Sequence, residues 1–256
     1  MRLELADISH QYGQVTAVEK INFSVEDGEI VAIVGPSGCG KSTLLSIVGG
    51  LLQPSEGAVY CQGEPPEGCL NPLTYVFQDF ALLPWRTVEG NIKIVLQDHK
   101  LPKQERNKRI ASVLQRTGLT DFAKAFPRQL SGGMCQRVGI ARALAVRPAV
   151  LLMDEPLSAL DAQTRSILIE EFAALFAQLH ISAVYVTHNL DEAVRLADRV
   201  VALSRRPGRV REIVTVSIPI KERLVRSTEL KPYQSRLWNL IKQEAIAADQ
   251  ELASGG

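Results

Sequence analysis

Ile30-Val-Ala-Ile-Val34 runs directly into Gly35-Pro36-Ser37-Gly38-Cys39-Gly40-Lys41-Ser42-Thr43, and Leu44 to Val48 follow with helical spacing. Five apolar residues in a row suit a strand covered on both faces. The first eight residues after it match G-x-x-x-x-G-K-[ST], in the strand-to-helix context that gives the pattern its meaning. The glycines let backbone N–H groups turn inward with no Cβ in the way. The helix that follows directs the positive end of its dipole at the same point. Such a loop cradles phosphates: Lys41 is placed to reach the β- and γ-phosphates, and the Ser42 hydroxyl to ligate Mg²⁺.

Working outward, Leu73–Phe77, Val150–Met153, Ala183–Val186 and Val200–Leu203 are further short apolar runs of the buried-strand kind. Helical spacing covers Lys41–Val48, Ala162–Leu179 and Leu190–Ala197, and Asn189 with Glu192 three places on resembles a capping box. Strands alternating with helices predict an α/β fold with ligands at the carboxyl ends of the strands. The start differs. Leu3 and Leu5, then Ile21, Phe23 and Val25, alternate with polar residues and predict half-exposed antiparallel strands. Residues 84–128 read as a polar, basic, helical insertion. Ile213–Ile220 predicts a final strand, Ser235–Ala248 a closing helix and Ala253–Gly256 a flexible tail.

Composition narrows the function. The chain has 256 residues, 46% hydrophobic and 22% charged, which excludes disordered, collagenous and disulfide-rich classes. Lys+Arg 29 against Asp+Glu 28 gives a net charge of +1, so no nucleic-acid partner is expected. The basic stretch from Arg205 to Arg236 reads as a solvated face. The apolar runs are far shorter than the roughly 18 residues of a membrane span. Glu4 and Asp7 interrupt the place where a signal peptide has its apolar core. Cys39, Cys61, Cys69 and Cys135 form no C-x-x-C pair, which predicts a reducing cytosol and neither a zinc site nor disulfides.

Two further stations carry chemistry. Asp154 and Glu155 emerge at the end of the run Val150–Met153. Asp154 suits the oxygen shell of Mg²⁺, and Glu155 suits a base or positioner for an attacking water. Leu130-Ser131-Gly132-Gly133-Met134-Cys135-Gln136 opens a helical run, and Ser-Gly-Gly at a helix start is a second anion-binding design. One nucleotide does not need two cradles. This suggests a two-nucleotide, head-to-tail dimer in which each copy lends the other its serine-glycine turn.

From about Leu3 to Pro219, the order of the phosphate loop, Gln78, L-S-G-G-M-C-Q, Asp154-Glu155, Ser158-Ala-Leu-Asp161 and His188 resembles the ATP-binding subunits of ABC transporters. The resemblance implies a P-loop NTPase (RecA-like) core with an antiparallel β subdomain and a helical subdomain inserted at about 84–145. It implies an ATPase domain over 1–220 and a helical extension over 221–256. Tyr12 matches the aromatic that stacks on adenine, and Gln78 the glutamine that contacts Mg²⁺ and the attacking water. Ser131, Gly132 and Gly133 match the signature that binds γ-phosphate across the dimer, and Asp161 the loop residue linking the two sites. His188 matches the histidine that holds γ-phosphate and the catalytic glutamate. His10, His99 and His180 have no such support. The implied cofactors are ATP and Mg²⁺. The implied partners are a second copy, integral membrane permease subunits and, indirectly, a periplasmic solute-binding protein. The implied location is peripheral, on the cytoplasmic face of the inner membrane.

Phe80-Ala-Leu-Leu-Pro84-Trp85-Arg-Thr-Val88 and Arg206-Pro207-Gly208-Arg209 resemble the nitrate, sulfonate and taurine branch of bacterial importers. Trp85 is either a docking anchor for the permease or a core residue of the insertion. An alternative reading is a soluble ABC ATPase of an assembly or repair complex, not coupled to transport. Cys39, beside Lys41 and a helix start, is expected to have a lowered thiol pKa, the alternative being a small filler of the loop.

Overall fold

The computed structural model describes residues 1–179 and 181–254, with side chains as far as Glu244. His180 and the last two residues of the expected tail lie outside the described residues. The chain divides into two compact units, one of Met1–Glu64 with the chain from Ile169 onward, the other of Pro65–Leu168.

In the first unit, β1 (Arg2–Tyr12) is the middle strand of an antiparallel sheet, between β2 (Val15–Val25) and β4 (Glu56–Gln62). Leu3 pairs with Val25 and Leu5 with Phe23, so the alternating apolar residues share one buried face. β4 has no such alternation. Tyr60 is half exposed, and Gly57 breaks the strand where a Cβ would come 2.4 Å from the carbonyl oxygens of Ala6 and Asp7. The pattern therefore hides it.

The same unit holds β3 (Ile30–Val34), parallel to β7 (Ser182–Val186) on one side and β8 (Arg199–Leu203) on the other. All five residues of β3 are buried. Each such aliphatic side chain contributes about 1.5–3 kcal/mol. β9 (Val210–Thr215) lies antiparallel on β8, starting and ending earlier than Ile213–Ile220. The ladder ends where β8 begins: Thr215 pairs with Arg199, and the Val216 N–H donates to the Asp198 carbonyl at 2.9 Å. Helices α1 (Lys41–Val48), α6 (Leu190–Leu196) and α7 (Lys231–Ser254) also belong to this unit. α7 begins four residues before the expected Ser235, because Pro232 in a first turn forfeits no helical bond. Ala253 and Ser254 belong to it rather than to a tail.

In the second unit β5 (Leu73–Val76) pairs parallel with β6 (Val150–Asp154). Between them lie α2 (Val88–Ile94), α3 (Lys103–Arg116), short 3₁₀ turns and α4 (Gly132–Ala145), with no strand among the described residues of 84–128. α5 (Ala162–Leu179) starts in this stretch and ends in the first unit. No helix among the described residues is long and apolar enough to cross a membrane.

Candidate functional site

The phosphate loop is shaped by its backbone. Gly38 and Gly40 adopt φ of 75° and 98°, which L side chains rarely take. Gly40 is the N-cap of α1, and no side chain bonds there. The first turn of α1 also holds no acidic residue, so its amides and dipole remain available to an anion. Lys41 is 7% exposed, and its ammonium donates to the carbonyls of Gly35 (3.0 Å) and Pro36 (3.1 Å). These bonds fold the lysine back over its own loop. Ser37 and Ser42 are exposed and Thr43 is half-buried. Tyr12 stands beside them, half exposed, its hydroxyl 3.5 Å from Thr43 Oγ1. His10 packs edge-on against the Tyr12 ring at 4.7 Å, which gives that histidine a supporting place.

Cys39 contradicts the expectation of a lowered pKa. The loop turns its side chain inward until it is 1% exposed, with Sγ 2.8 Å from where a Cβ on Gly35 would lie. Burial pushes the thiol up, outweighing the nearby Lys41 charge that pulls it down. It is a loop filler.

His188 is exposed just after β7. Its neighbours are fixed by Glu192, which is 2% exposed and accepts hydrogen bonds from Tyr185 Oη (3.0 Å) and Thr187 Oγ1 (2.8 Å). Asn189 caps α6 by accepting from Asp191 and Glu192 N–H, but the reciprocal half of the expected capping box is missing. The Glu192 carboxylate is occupied by Tyr185 and Thr187, and the Asn189 N–H goes to Thr187 Oγ1.

In the second unit Asp154 ends β6 and Glu155 follows with φ of 44°, a left-handed conformation costing about 1–3 kcal/mol for a non-glycine. The Glu155 carbonyl accepts both the N–H (3.1 Å) and the hydroxyl (2.9 Å) of Ser158, holding the turn. Asp161 caps α5 through Oδ1, which accepts from Thr164 N–H (2.9 Å) and Gln163 N–H (3.1 Å). Thr164, chiefly through its backbone N–H, holds the Asp161 carboxyl below its ordinary range. Ser131 caps α4 in the same manner, accepting from Met134 N–H. The serine-glycine turn lies on the start of α5. A Cβ on Gly133 would come 2.8 Å from Thr164 Cγ2, and one on Gly132 3.1 Å from Leu160 Cδ2. Ser131, Gly132, Gly133 and Asp161 are thus neighbours, as two adjoining helix starts.

Gln78 is exposed at the end of β5. The residues after it form an arch pinned at two points. The Arg142 guanidinium donates to the carbonyls of Ala81 (2.6 Å) and Phe80 (3.1 Å). Asn91, fully buried, accepts from Leu83 N–H and donates to the carbonyls of Leu83, Arg86 and Thr87. Trp85 at the crown is 71% exposed, not a core residue. Beside the arch lies an open cavity of about 520 Å³, lined in part by Thr74, Tyr75, Phe77, Leu83, His99 and Arg142.

The model of the family described as "ABC transporter" matches residues 18–158. The chain belongs to the ABC transporter family. It is 44% identical to an uncharacterized ABC transporter ATP-binding protein of Methanocaldococcus jannaschii, covering 91% of this chain and 87% of that one. It is 38% identical to the nitrate import ATP-binding protein NrtD of Synechocystis, covering 99% of this chain and all of that one. Among solved structures it resembles the dimeric post-hydrolysis state of the ATP-binding cassette MJ0796 bound to ADP and Pi. That likeness has a TM-score of 0.69 at 32% identity and covers 84% of this chain and 99% of that one.

The chain is therefore an ABC-type ATP hydrolase. Sequence reasoning missed Arg142 and Asn91, and gave Glu192 the wrong partner. Arg142 and Asn91 bind backbone carbonyls outside their own helices, and the only signal was a polar residue in a helical stretch.

Proposed function

We propose that this ABC ATPase powers an importer. Two copies close on two ATP molecules, each offering Ser131, Gly132 and Gly133 to the nucleotide of the other, and hydrolysis lets them open. The observation that carries the import reading is the arch, because a fully presented tryptophan on a doubly pinned loop, next to an open cavity, suits docking of a membrane permease. The solute is nitrate, a sulfonate, taurine or a similar small molecule, and the 38% identity to a nitrate import ATP-binding protein supports nitrate among them. A periplasmic solute-binding protein then acts indirectly, and the chain works peripherally on the cytoplasmic face of the inner membrane. We assign the ATPase to 1–220, with 84–145 as its helical subdomain and 221–256 as an extension.

The roles follow from the residue chemistry. Gly35, Pro36, Ser37, Gly38, Cys39, Gly40 and Lys41 wrap the β- and γ-phosphates, and Tyr12 stacks on the adenine. Ser42, Asp154 and Gln78 offer only oxygen donors, which fit a hard cation such as Mg²⁺. Held by these residues, Mg²⁺ would supply positive charge to offset the negative charge of the phosphates. Glu155 orients the attacking water, His188 holds the γ-phosphate, and Asp161 links the two sites of the dimer. Positioning and electrostatics account for the chemistry.

Glu155→Gln is the test. The variant is expected to bind ATP, to accumulate as a dimer by light scattering and to lose turnover by about 10²–10⁴-fold. Unaltered hydrolysis removes Glu155 from its role, and monomers under saturating ATP and Mg²⁺ remove the dimer. Recovery of the native chain with membranes supports the importer; recovery wholly in the soluble fraction favours an assembly ATPase.

A further inference from the structure

The Arg206-Pro207-Gly208-Arg209 segment marks a branch of the family but has no part in the chemistry above. Gly208 is buried, and it bridges to β2: its N–H donates to the Ala17 carbonyl and its carbonyl accepts the Glu19 N–H, both at 2.9 Å. A Cβ on Gly208 would stand 2.1 Å from the Cys39 carbonyl oxygen and 3.5 Å from that of Ala17. The turn therefore lies with bare backbone against the backbone of the phosphate loop. Gly40, the next residue of that loop, is pressed against β2 in turn. A Cβ there would come 2.5 Å from Val18 Cγ1 and 2.9 Å from the Ala17 carbonyl oxygen.

The turn itself is closed by Ser204. Its N–H donates to the Arg209 carbonyl (2.9 Å), and its Oγ accepts the Arg209 N–H (2.9 Å). Arg209 also pairs with Glu19 of β2 at 2.8 Å. The outer grip comes from α7. Glu244, 9% exposed, accepts the Arg205 N–H on Oε2 (3.0 Å) and pairs with Arg211 Nε through Oε1 (2.8 Å). One carboxylate of the C-terminal helix thus holds both flanks of the turn.

We propose that the Ser204–Arg209 turn sets the position of the phosphate loop, and that Glu244 makes the C-terminal helix a determinant of nucleotide affinity. Gly208 and Glu244 are positioning residues. A contact of backbone on backbone has no rotamer to absorb a shift, so displacement of the turn displaces the Cys39 peptide and the amides after it. Phosphate recognition by amides is sensitive to displacements well under 1 Å.

The inference is tested in the full chain with Glu244→Ala, with Arg211→Ala, which removes half the grip at an exposed residue, and with Gly208→Ala. The expected result is a several-fold rise in KM for ATP in the first two with kcat little changed, and a rise above about tenfold for Gly208→Ala. Maleimide labelling read by mass spectrometry separates positioning from general loosening, because Cys39 and Cys135 are both buried but lie in different units. In Glu244→Ala and Arg211→Ala, Cys39 is expected to label faster while Cys135 does not. Parallel acceleration of both cysteines, or an unchanged KM with an unchanged labelling ratio, overturns the proposal. If Gly208→Ala does not fold, the other two variants decide. A chain that never dimerises refutes the importer mechanism, and the labelling ratio of Cys39 to Cys135, which reads a single copy, then decides this proposal by itself.

Discussion

The phosphate loop and the Gln78–Thr87 arch are both irregular segments that follow a strand, fully buried for the first and half-buried for the second, yet they are built by opposite means. The phosphate loop is fixed by its own backbone: two glycines at positive φ, a buried cysteine, and a strand and a turn pressed close against it. The arch is fixed by side chains from other elements, Arg142 of α4 and Asn91 of α2, which replace the backbone partners it lacks. A backbone-built segment is rigid and tolerates few substitutions. A segment held by side chains moves with the helices that hold it. The first suits a binding cradle and the second suits transmission.

The largest effect that probes this contrast lies in the loop. Gly38 and Gly40 share the sign of φ but not their surroundings, since a Cβ on Gly38 meets nothing within 4 Å among the described residues and one on Gly40 meets Val18 and Ala17. Gly38→Ala is expected to cost about 1–2 kcal/mol, a few degrees in Tm. Gly40→Ala adds an unavoidable collision and is expected to lose about 3 kcal/mol or more, with loss of ATP binding. Calorimetry that finds equal costs would show that conformational strain alone shapes the loop.

The arch should respond more softly. Arg142→Met removes two charge-assisted bonds, about 2 kcal/mol in sum. In a Trp238→Phe background Trp85 is the single tryptophan, and its fluorescence anisotropy should fall in Arg142→Met while ATP affinity stays within about twofold. Unchanged anisotropy means that Asn91 alone holds the crown, and the link to α4 is then lost from the argument.

This contrast also explains what the residues revealed in advance. The run Ile30–Val34, the glycine spacing and the helix Lys41–Val48 were legible because the loop is coded by local residues. The pins of the arch were not, since an arginine 61 and 62 residues beyond the carbonyls it binds leaves no local pattern. The thiol of Cys39 was misread for a related reason. Proximity to Lys41 and a helix start is visible in the sequence, but the inward turn that buries the sulfur is tertiary. β4 escaped because its register is set by β1 rather than by its own alternation. Glu192 was assigned to the nearest backbone group, whereas Tyr185 and Thr187 claim it.

The smallest effect separates the two helix starts that meet at the serine-glycine turn. Asp161 and Ser131 each accept an N–H at the head of a helix, one with a charge and one without. The Asp161 carboxyl lies below its ordinary value of 3.8, first because the Thr164 N–H binds its ionised form. A carboxylate with a lowered folded pKa stabilises the fold fully above the unfolded pKa, and the benefit disappears as pH falls through the folded pKa. Asp161→Ala should therefore lower Tm at pH 7, and the gap to the parent should close as the pH drops below about 4. Ser131→Ala has no titrating cap, so its gap should hold constant across the same range. Thermal melts at stepped pH measure both. An Asp161→Ala gap that does not depend on pH assigns the cap to geometry alone and leaves the charge of Asp161 for the nucleotide-bound dimer.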